Sequence, residues 1–370
     1  MTDIFISARQ AHDLHLRDIY MAFTGLGDQI LLLAAAEQHY KKTSKKIFLA
    51  CQYRQLAHNA DFCLVLDLPD SCGVEKLYAE QFTAYKKRGG GNKVEINGVE
   101  FTLKLISYLN FGINRNGRLI RRWPDNHILA RMCERMGLSG EIEIAPRLAL
   151  SNLEEKFGKF SDKRQISIMT GGQAHHKYFL PKIAQKIVDA LHPEYDFVQI
   201  GGKDDPPLTN TLHLMGKLPL HKTSAVLSNS ALFAGSIGGL MHLARAVDCP
   251  SVIAFAGEPL SFEFYNTNSY VFSDTPCSEC PDGRLDPFHE PCPYAYRCIT
   301  NINPDKMIAM LKEKLAAPPV SLPPQTVILS PDPVIGMEDW HRLRYVALLH
   351  QRHKEPFGFF GRTPPVCGLQ

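Results

Sequence analysis

Apolar positions in this chain fall into short runs that alternate with stretches of helical period. Residues 19–23 are an apolar run ending in Thr24-Gly25-Leu26-Gly27-Asp28, and residues 30–37 continue as an Ala- and Leu-rich helix. That order is strand, glycine turn, helix. Further runs at 46–51 and 62–68, the second closed by Pro69-Asp70, predict parallel strands separated by helical material. From Lys163 the alternation sharpens. Residues 166–169 predict a strand, Pro181–Leu191 a helix with Ile183, Ile187, Val188 and Leu191 on one face, and 197–200 a strand ending in Gly201-Gly202. Helical residues 225–227, a strand at 231–234, a helix at 240–247 and a strand at 251–256 follow. Repeated βα units predict an α/β chain, with parallel sheets covered by helices on both faces. The charged, apolar-poor stretch 154–164 reads as a linker. Two doubly wound domains, 1–160 and 161–315, are therefore expected to face each other across a cleft. In the remainder, 316–370, a connector at 316–333 with six prolines leads to 338–353, where Trp340, Leu343, Val346 and Leu349 share a helical face. That last helix is expected to cross back to the first domain or to meet a partner.

A length of 370 residues suits two such domains, and 45% apolar with 21% charged residues excludes wholly disordered and collagenous classes. The longest apolar run, 30–36, is far short of the roughly 20 residues of a membrane span, and the polar start 1–13 lacks the core of a signal peptide. A cytoplasmic protein with no transmembrane segment is expected. Ten cysteines spread over this length are not a disulfide scaffold. Net charge is only +3, yet residues 86–122 hold nine Lys or Arg against Glu95 and Glu100, a local +7. Such a patch suits an anionic substrate or a peripheral membrane contact, or is simply a solvated, loop-rich face. It lacks the basic-Gly-aromatic signature of single-strand binders, so no nucleic-acid partner is expected.

Three segments could carry chemistry. In Gly25-Leu26-Gly27-Asp28-Gln29 two glycines free backbone amides near a helix start, where an anion can be held, and Asp28 at the sheet edge could take a proton from a hydroxyl or simply cap the helix. In Thr170-Gly171-Gly172-Gln173-Ala174-His175-His176-Lys177 the glycines allow close approach of phosphates and Lys177 supplies a positive charge; the adjacent histidines read as polar loop residues, because neighbouring side chains diverge. In Gly235-Ser236-Ile237-Gly238-Gly239-Leu240-Met241-His242 a strand again ends in glycines that open a helix. Gly238 and Gly239 can present amides to a diphosphate, while His242 is either a donor to that group or a packed helix residue.

Together these segments resemble glycosyltransferase family 9, the ADP-heptose lipopolysaccharide heptosyltransferases and their relatives. The resemblance spans most of residues 17–315 and is most specific at Gly-Ser-Ile-Gly-Gly-Leu-Met-His-Leu-Ala followed by Cys-Pro-Ser-Val-Ile-Ala-Phe-Ala-Gly. It implies a GT-B fold and an inverting, metal-independent transfer from a nucleotide-sugar donor of the ADP-heptose type. Carried over, Asp28 is the base, Lys177 neutralises the donor diphosphate, and Gly27, Gly172, Gln173, Gly238, Gly239 and His242 bind the donor. The family's block usually reads Asp-Thr-Gly before Met-His, whereas Ile237 stands at the acidic position, which leaves the donor sugar open. The implied acceptor is a bacterial surface glycan or lipid-linked lipopolysaccharide precursor at the inner face of the inner membrane. A protein O-heptosyltransferase of the autotransporter type and a non-catalytic GT-B scaffold are the alternative readings.

A cysteine cluster, Cys277-x2-Cys280-x11-Cys292-x5-Cys298, lies in a proline-rich stretch, 276–298. Four thiolates at such spacing could close a tetrahedral zinc or iron site; unligated thiols and disulfides stay open. The autotransporter heptosyltransferases that the chain resembles have cysteines there that bind iron. No catalytic role follows, because a four-thiolate site has no open position.

Overall fold

The computed structural model describes residues 4–23, 25–68, 73–74, 76–77, 92–106, 110–113, 119–122, 126–151, 154, 156–172, 177–275, 295–317 and 324–329. The first sheet is built from β1 (Phe5–Ile6), β2 (Asp18–Met21), β3 (Ile47–Leu49), β4 (Cys63–Leu66), β5 (Asn92–Ile96) and β6 (Val99–Leu105), in the order β1-β4-β3-β2-β6-β5. Helix α1 (Ala8–Asp13) joins β1 to β2, and α2 (Leu26–Thr43) joins β2 to β3. All pairings are parallel except the β5–β6 hairpin. That hairpin turns at Asn97-Gly98, whose φ angles of 51° and 76° are the left-handed pair that tight hairpins require. A second antiparallel ribbon, β7 (Asn110–Ile113) with β8 (Leu119–Arg122), follows it, so the basic segment 86–122 carries four strands among the described residues. Then come α3 (Ile128–Arg135) and β9 (Gly140–Glu143).

The second sheet is wholly parallel: β10 (Gln165–Ile168), β11 (Asp196–Gln199), β12 (Leu212–His213), β13 (Leu232–Ser236), β14 (Ser251–Phe255) and β15 (Asn268–Phe272), in the order β12-β11-β10-β13-β14-β15. Strands β10, β13 and β14 are buried at every position, as strands covered on both faces must be. Helices α4 (Pro181–Leu191), α5 (Leu220–Ser228), α6 (Gly239–Ala246) and α7 (Leu260–Glu263) connect them. Helix α4 starts with proline in its first turn and buries Ile183, Ala184, Ile187, Val188 and Leu191, the face its sequence predicts. Short α8 (Arg297–Thr300) and longer α9 (Pro304–Ala316) follow, and β16 (Thr326–Leu329) then pairs antiparallel with β9. The proline-rich connector thus returns the chain to residues 140–143 as a strand; residues 338–353 lie outside the described residues.

One apolar cluster runs from Leu31, Leu32 and Leu49 to Ile166, Phe233 and Phe255, so the core is continuous between the two sheets. Helix α2 carries it across: its buried run 29–36 leaves no wide solvated face, and the helix packs against both α3 and α6. Cys51, Cys63 and Cys133 are core residues, and burial pushes their thiols up to about 12, which leaves them protonated packing groups. Strand order reverses beside β2 in one sheet and between β10 and β13 in the other. In open α/β sheets the crevice at the carboxyl ends of strands beside such a reversal is where ligands bind.

Candidate active site

The loops leaving β2, β10 and β13 all open at those crevices. At the first, Gln29 is fully buried; its Nε2 donates to the carbonyl of Phe23 (2.7 Å) and its Oε1 accepts from the amide of Gln52 (2.8 Å). This side chain ties the start of α2 to the ends of β2 and β3 and so fixes Asp28 in the first turn. The Asp28 carboxylate folds back over the helix start, since a Cβ on Gly25 would fall 2.6 Å from its Oδ2. A negative group there is favoured by the helix dipole.

At the third loop Gly238 has φ 133° and ψ −162°, a conformation restricted to glycine, and it caps α6. Helices α2 and α6 meet at their first turns. A Cβ on Gly27 would lie 2.6 Å from Cδ2 of His242, and one on Gly239 would lie 2.8 Å from Cβ of Leu26. Gly27 and Gly239 therefore let two helix N-termini, one from each sheet, come into contact, and the positive ends of both helices converge on one place.

Lys177 enters from the second loop. Gly172, at φ 145°, is held against it: a Cβ there would stand 2.2 Å from the carbonyl oxygen of Lys177. That carbonyl also accepts a hydrogen bond from the Ser236 hydroxyl. The Lys177 ammonium is 3.0 Å from Oε1 of Glu263 and 3.1 Å from Oε1 of Glu258, both carboxylates being 2% exposed. Burial opposes its charge, but the two carboxylates outweigh burial and raise its pKa. An ammonium has three donors, and the described carboxylates take two. The Glu263 carboxyl is pushed up to about 8, first by burial and then by Glu258, with Lys177 opposing.

His242 connects this cluster to α2. Burial, then Lys177, lowers it to about 3, so the ring is neutral. The hydroxyl of Tyr265, which burial keeps protonated, lies 2.7 Å from Nδ1, and Nε2 stands 3.9 Å from Oε2 of Glu263. His127 also packs against Tyr265, with ring centroids 5.2 Å apart and planes tilted by 55°; its Nδ1 accepts from the Leu129 amide and caps α3.

The structure thus assembles Gly27, Asp28, Gly172, Lys177, Gly238, Gly239 and His242 into one chain of contacts. Gln173, Cys277, Cys280 and Cys292 lie outside the described residues. Cys298 is buried on α8 and packs with Ala256 and Ile299, and among the described residues no group of three or more metal-ligating side chains is present. Ile237 is 1% exposed and belongs to the core. Sequence reasoning missed Gln29, Glu258, Glu263 and Tyr265. Glu258 carried a signal: Ala256-Gly257-Glu258 repeats, at the end of β14, the strand-glycine-acid order of Gly27-Asp28, and Gly257 has φ 78°.

No protein-family model and no curated protein matches this sequence. Solved structures do. The glycosyltransferase TibC of enterotoxigenic E. coli, described as bacterial, iron-containing and dodecameric, superposes with TM-score 0.57 at 18% identity, covering 81% of this chain and 76% of that one. ADP-heptose lipopolysaccharide heptosyltransferase II of E. coli gives TM-score 0.54 at 11% identity, covering 81% and 98%. A glycosyltransferase family 9 structure from Veillonella parvula gives 0.53 at 14%, covering 81% and 97%. The fold is the expected GT-B arrangement of two Rossmann-like sheets.

Proposed function

We propose that this chain is an inverting glycosyltransferase that moves a heptose-type sugar from a nucleotide diphosphate donor to a bacterial surface glycan or its lipid-linked lipopolysaccharide precursor. The observation that carries the reading is the contact of two helix N-termini at the sheet crevices, with a carboxylate on one side and a lysine on the other. In this reading the amides at Gly238 and Gly239, with Lys177, hold the donor diphosphate, and the third ammonium hydrogen is the one turned to it. Asp28 takes the proton of the acceptor hydroxyl as its oxygen bonds to the anomeric carbon, and the bond to the nucleotide diphosphate breaks on the opposite face. Negative charge growing on the departing diphosphate is met by a cation and two oriented helix ends, the service a divalent ion performs in other transferases. Gly27, Gly172 and Gln173 complete the donor loops, and neutral His242 stands at the same wall as a donor-binding residue.

The ADP-heptose assignment draws support from fold relatives: TibC has been solved in complex with ADP-D-β-D-heptose, at 17% identity and TM-score 0.56. No described helix is long and apolar enough to cross a membrane, and the local charge of residues 86–122 suits an anionic acceptor or the inner face of the inner membrane, so a cytoplasmic enzyme is proposed. A structural zinc or iron held by Cys277, Cys280, Cys292 and Cys298 completes the proposal, supported by their spacing and by the iron described for TibC. Incubation with a panel of ADP- and UDP-sugars, with glycan and peptide acceptors in parallel, tests the reading. Release of nucleotide diphosphate from ADP-heptose with a glycan acceptor is expected; transfer to peptide would move the assignment to a protein O-heptosyltransferase, and no turnover of any sugar nucleotide would leave a scaffold.

A further inference from the structure

Strands β7 and β8 form a two-stranded sheet of their own, bonded to neither six-stranded sheet, and among the described residues no other strand or helix packs extensively against them. An isolated two-stranded ribbon is marginally stable in water and gains from a further surface to lie on. Its register pairs Asn110 with Arg122, Phe111 with Arg121, Gly112 with Ile120 and Ile113 with Leu119. Strand alternation therefore places Phe111, Ile113, Leu119 and Arg121 on one face of the ribbon, and Asn110, Gly112, Ile120 and Arg122 on the other. The first face thus has three large apolar positions and one arginine. Charge in this part of the chain has a single sign: residues 101–124 include five basic residues and no acidic one. Glu100, just before them, is taken by Lys93 at 2.7 Å, and Lys104 is taken by Asp18 at 2.5 Å, so the excess is carried by arginines, Arg121 and Arg122 on β8 among them.

The ribbon is rooted at the candidate active site on both sides. Strand β6, which precedes it, runs parallel to β2 and is fastened where β2 ends: Leu105 lies beside Met21, and the Ile106 amide donates to the Met21 carbonyl at 2.7 Å. That is the carboxyl edge of the first sheet, the edge that carries the Asp28 loop. On the other side, buried His127 opens α3 and packs against Tyr265.

We propose that the β7–β8 ribbon docks this protein peripherally on the surface of an anionic lipid bilayer. Arginines complement the charge of phosphate headgroups, and a face of three large apolar positions suits the boundary between headgroups and acyl chains. A soluble polyanion would use the charge and leave the apolar face without a role. Docking through the ribbon brings the carboxyl edge with Asp28 next to the lipid surface, where the hydroxyl of a lipid-linked acceptor is presented. This last step rests on the acceptor reading above; the docking does not.

Co-sedimentation of the full-length chain with vesicles, in the absence of donor and acceptor, tests the docking. Binding is expected to phosphatidylethanolamine vesicles holding about one third phosphatidylglycerol and not to phosphatidylcholine vesicles, and it should weaken as salt rises from about 0.1 M to about 0.5 M. Arg121→Gln with Arg122→Gln should lower the partition coefficient about 30-fold, at about fivefold per arginine. Lys182→Gln with Lys186→Gln, which removes the same charge from exposed positions of α4, should change it less than about twofold. Phe111→Ser with Leu119→Ser should weaken vesicle binding at unchanged net charge, and gives a second reading should the arginine pair fail to fold. Equal binding to both kinds of vesicle, binding unmoved by the ribbon substitutions, equal loss in the ribbon and α4 variants, or binding to heparin and to no vesicle overturns the inference, the last in favour of a soluble polyanion. Anionic-vesicle binding that is lost with the two arginines, in a protein that transfers no sugar, would uphold the ribbon and overturn the proposed function instead.

Discussion

Replacing Gly27 with alanine puts a methyl carbon 2.6 Å from Cδ2 and 3.3 Å from Nε2 of His242. Ordinary contact begins near 3.4 Å, so the first turns of α2 and α6 must separate by about 0.8 Å or the ring must swing. The ring is not free to swing, because its Nδ1 lies 2.7 Å from the buried Tyr265 hydroxyl. Overpacking of this kind costs about 1–3 kcal/mol, against a gain of up to about 1 kcal/mol from replacing a helical glycine, so a net loss of about 1–2 kcal/mol is expected. In a His242→Ala background the obstacle is gone, and the same substitution should be neutral or stabilising by up to about 1 kcal/mol. Urea unfolding of the four proteins in a double-mutant cycle measures this coupling, which should amount to about 1–3 kcal/mol. Equal effects of Gly27→Ala in both backgrounds would show that the two helix starts do not touch as described.

His242 also sets a pH signature: its folded pKa near 3 lies below the ordinary 6.5, so the unfolded chain takes up a proton that the folded one refuses and stability is lost as pH falls through that window. Between pH 7 and pH 5 the stability of wild type relative to His242→Gln should drop by about 2 kcal/mol in urea unfolding, and a pH-independent difference would contradict a buried neutral ring. Lys177→Ala removes the proposed diphosphate cation and should cost turnover about 2–4 kcal/mol of transition-state stabilisation, while wild-type activity should survive EDTA; strict dependence on added magnesium would argue against this division of labour. Elemental analysis of protein purified without chelator should find about one zinc or iron per chain, lowered in Cys280→Ser, whereas metal-free protein would leave the four thiols as ordinary side chains.

Much of the sheet architecture was legible because buried parallel strands leave dense apolar runs: residues 251–256 and Pro181–Leu191 announce a strand and a helix almost to the residue. The β5–β6 hairpin is less legible, although Asn97-Gly98 is a strong turn pair, because the flanking segments are rich in charge and lack the dense apolar runs of buried strands. Pairing of β16 with β9 joins segments over 180 residues apart and leaves no local period to detect. Within the site, glycine spacing located the three loops as places where backbone amides could meet an anion; that Gly27 and Gly239 also let the two helix starts touch is a matter of tertiary packing and leaves no local signal. Glu258 in a loop and Glu263 at a helix end escaped because acidic residues at such places ordinarily read as solvated, and only the fold reveals that both are buried on Lys177.

Asp28, at the meeting of the two helices, is the proposed base. The most direct measurement is single-turnover transfer from ADP-heptose to a lipopolysaccharide-precursor acceptor by Asp28→Asn, with donor affinity measured in parallel. Asparagine keeps the size and the capping ability of aspartate but cannot take the proton. Donor affinity within a few-fold of wild type and turnover reduced by about 10²-fold or more are predicted; turnover within a few-fold of wild type would contradict the assignment.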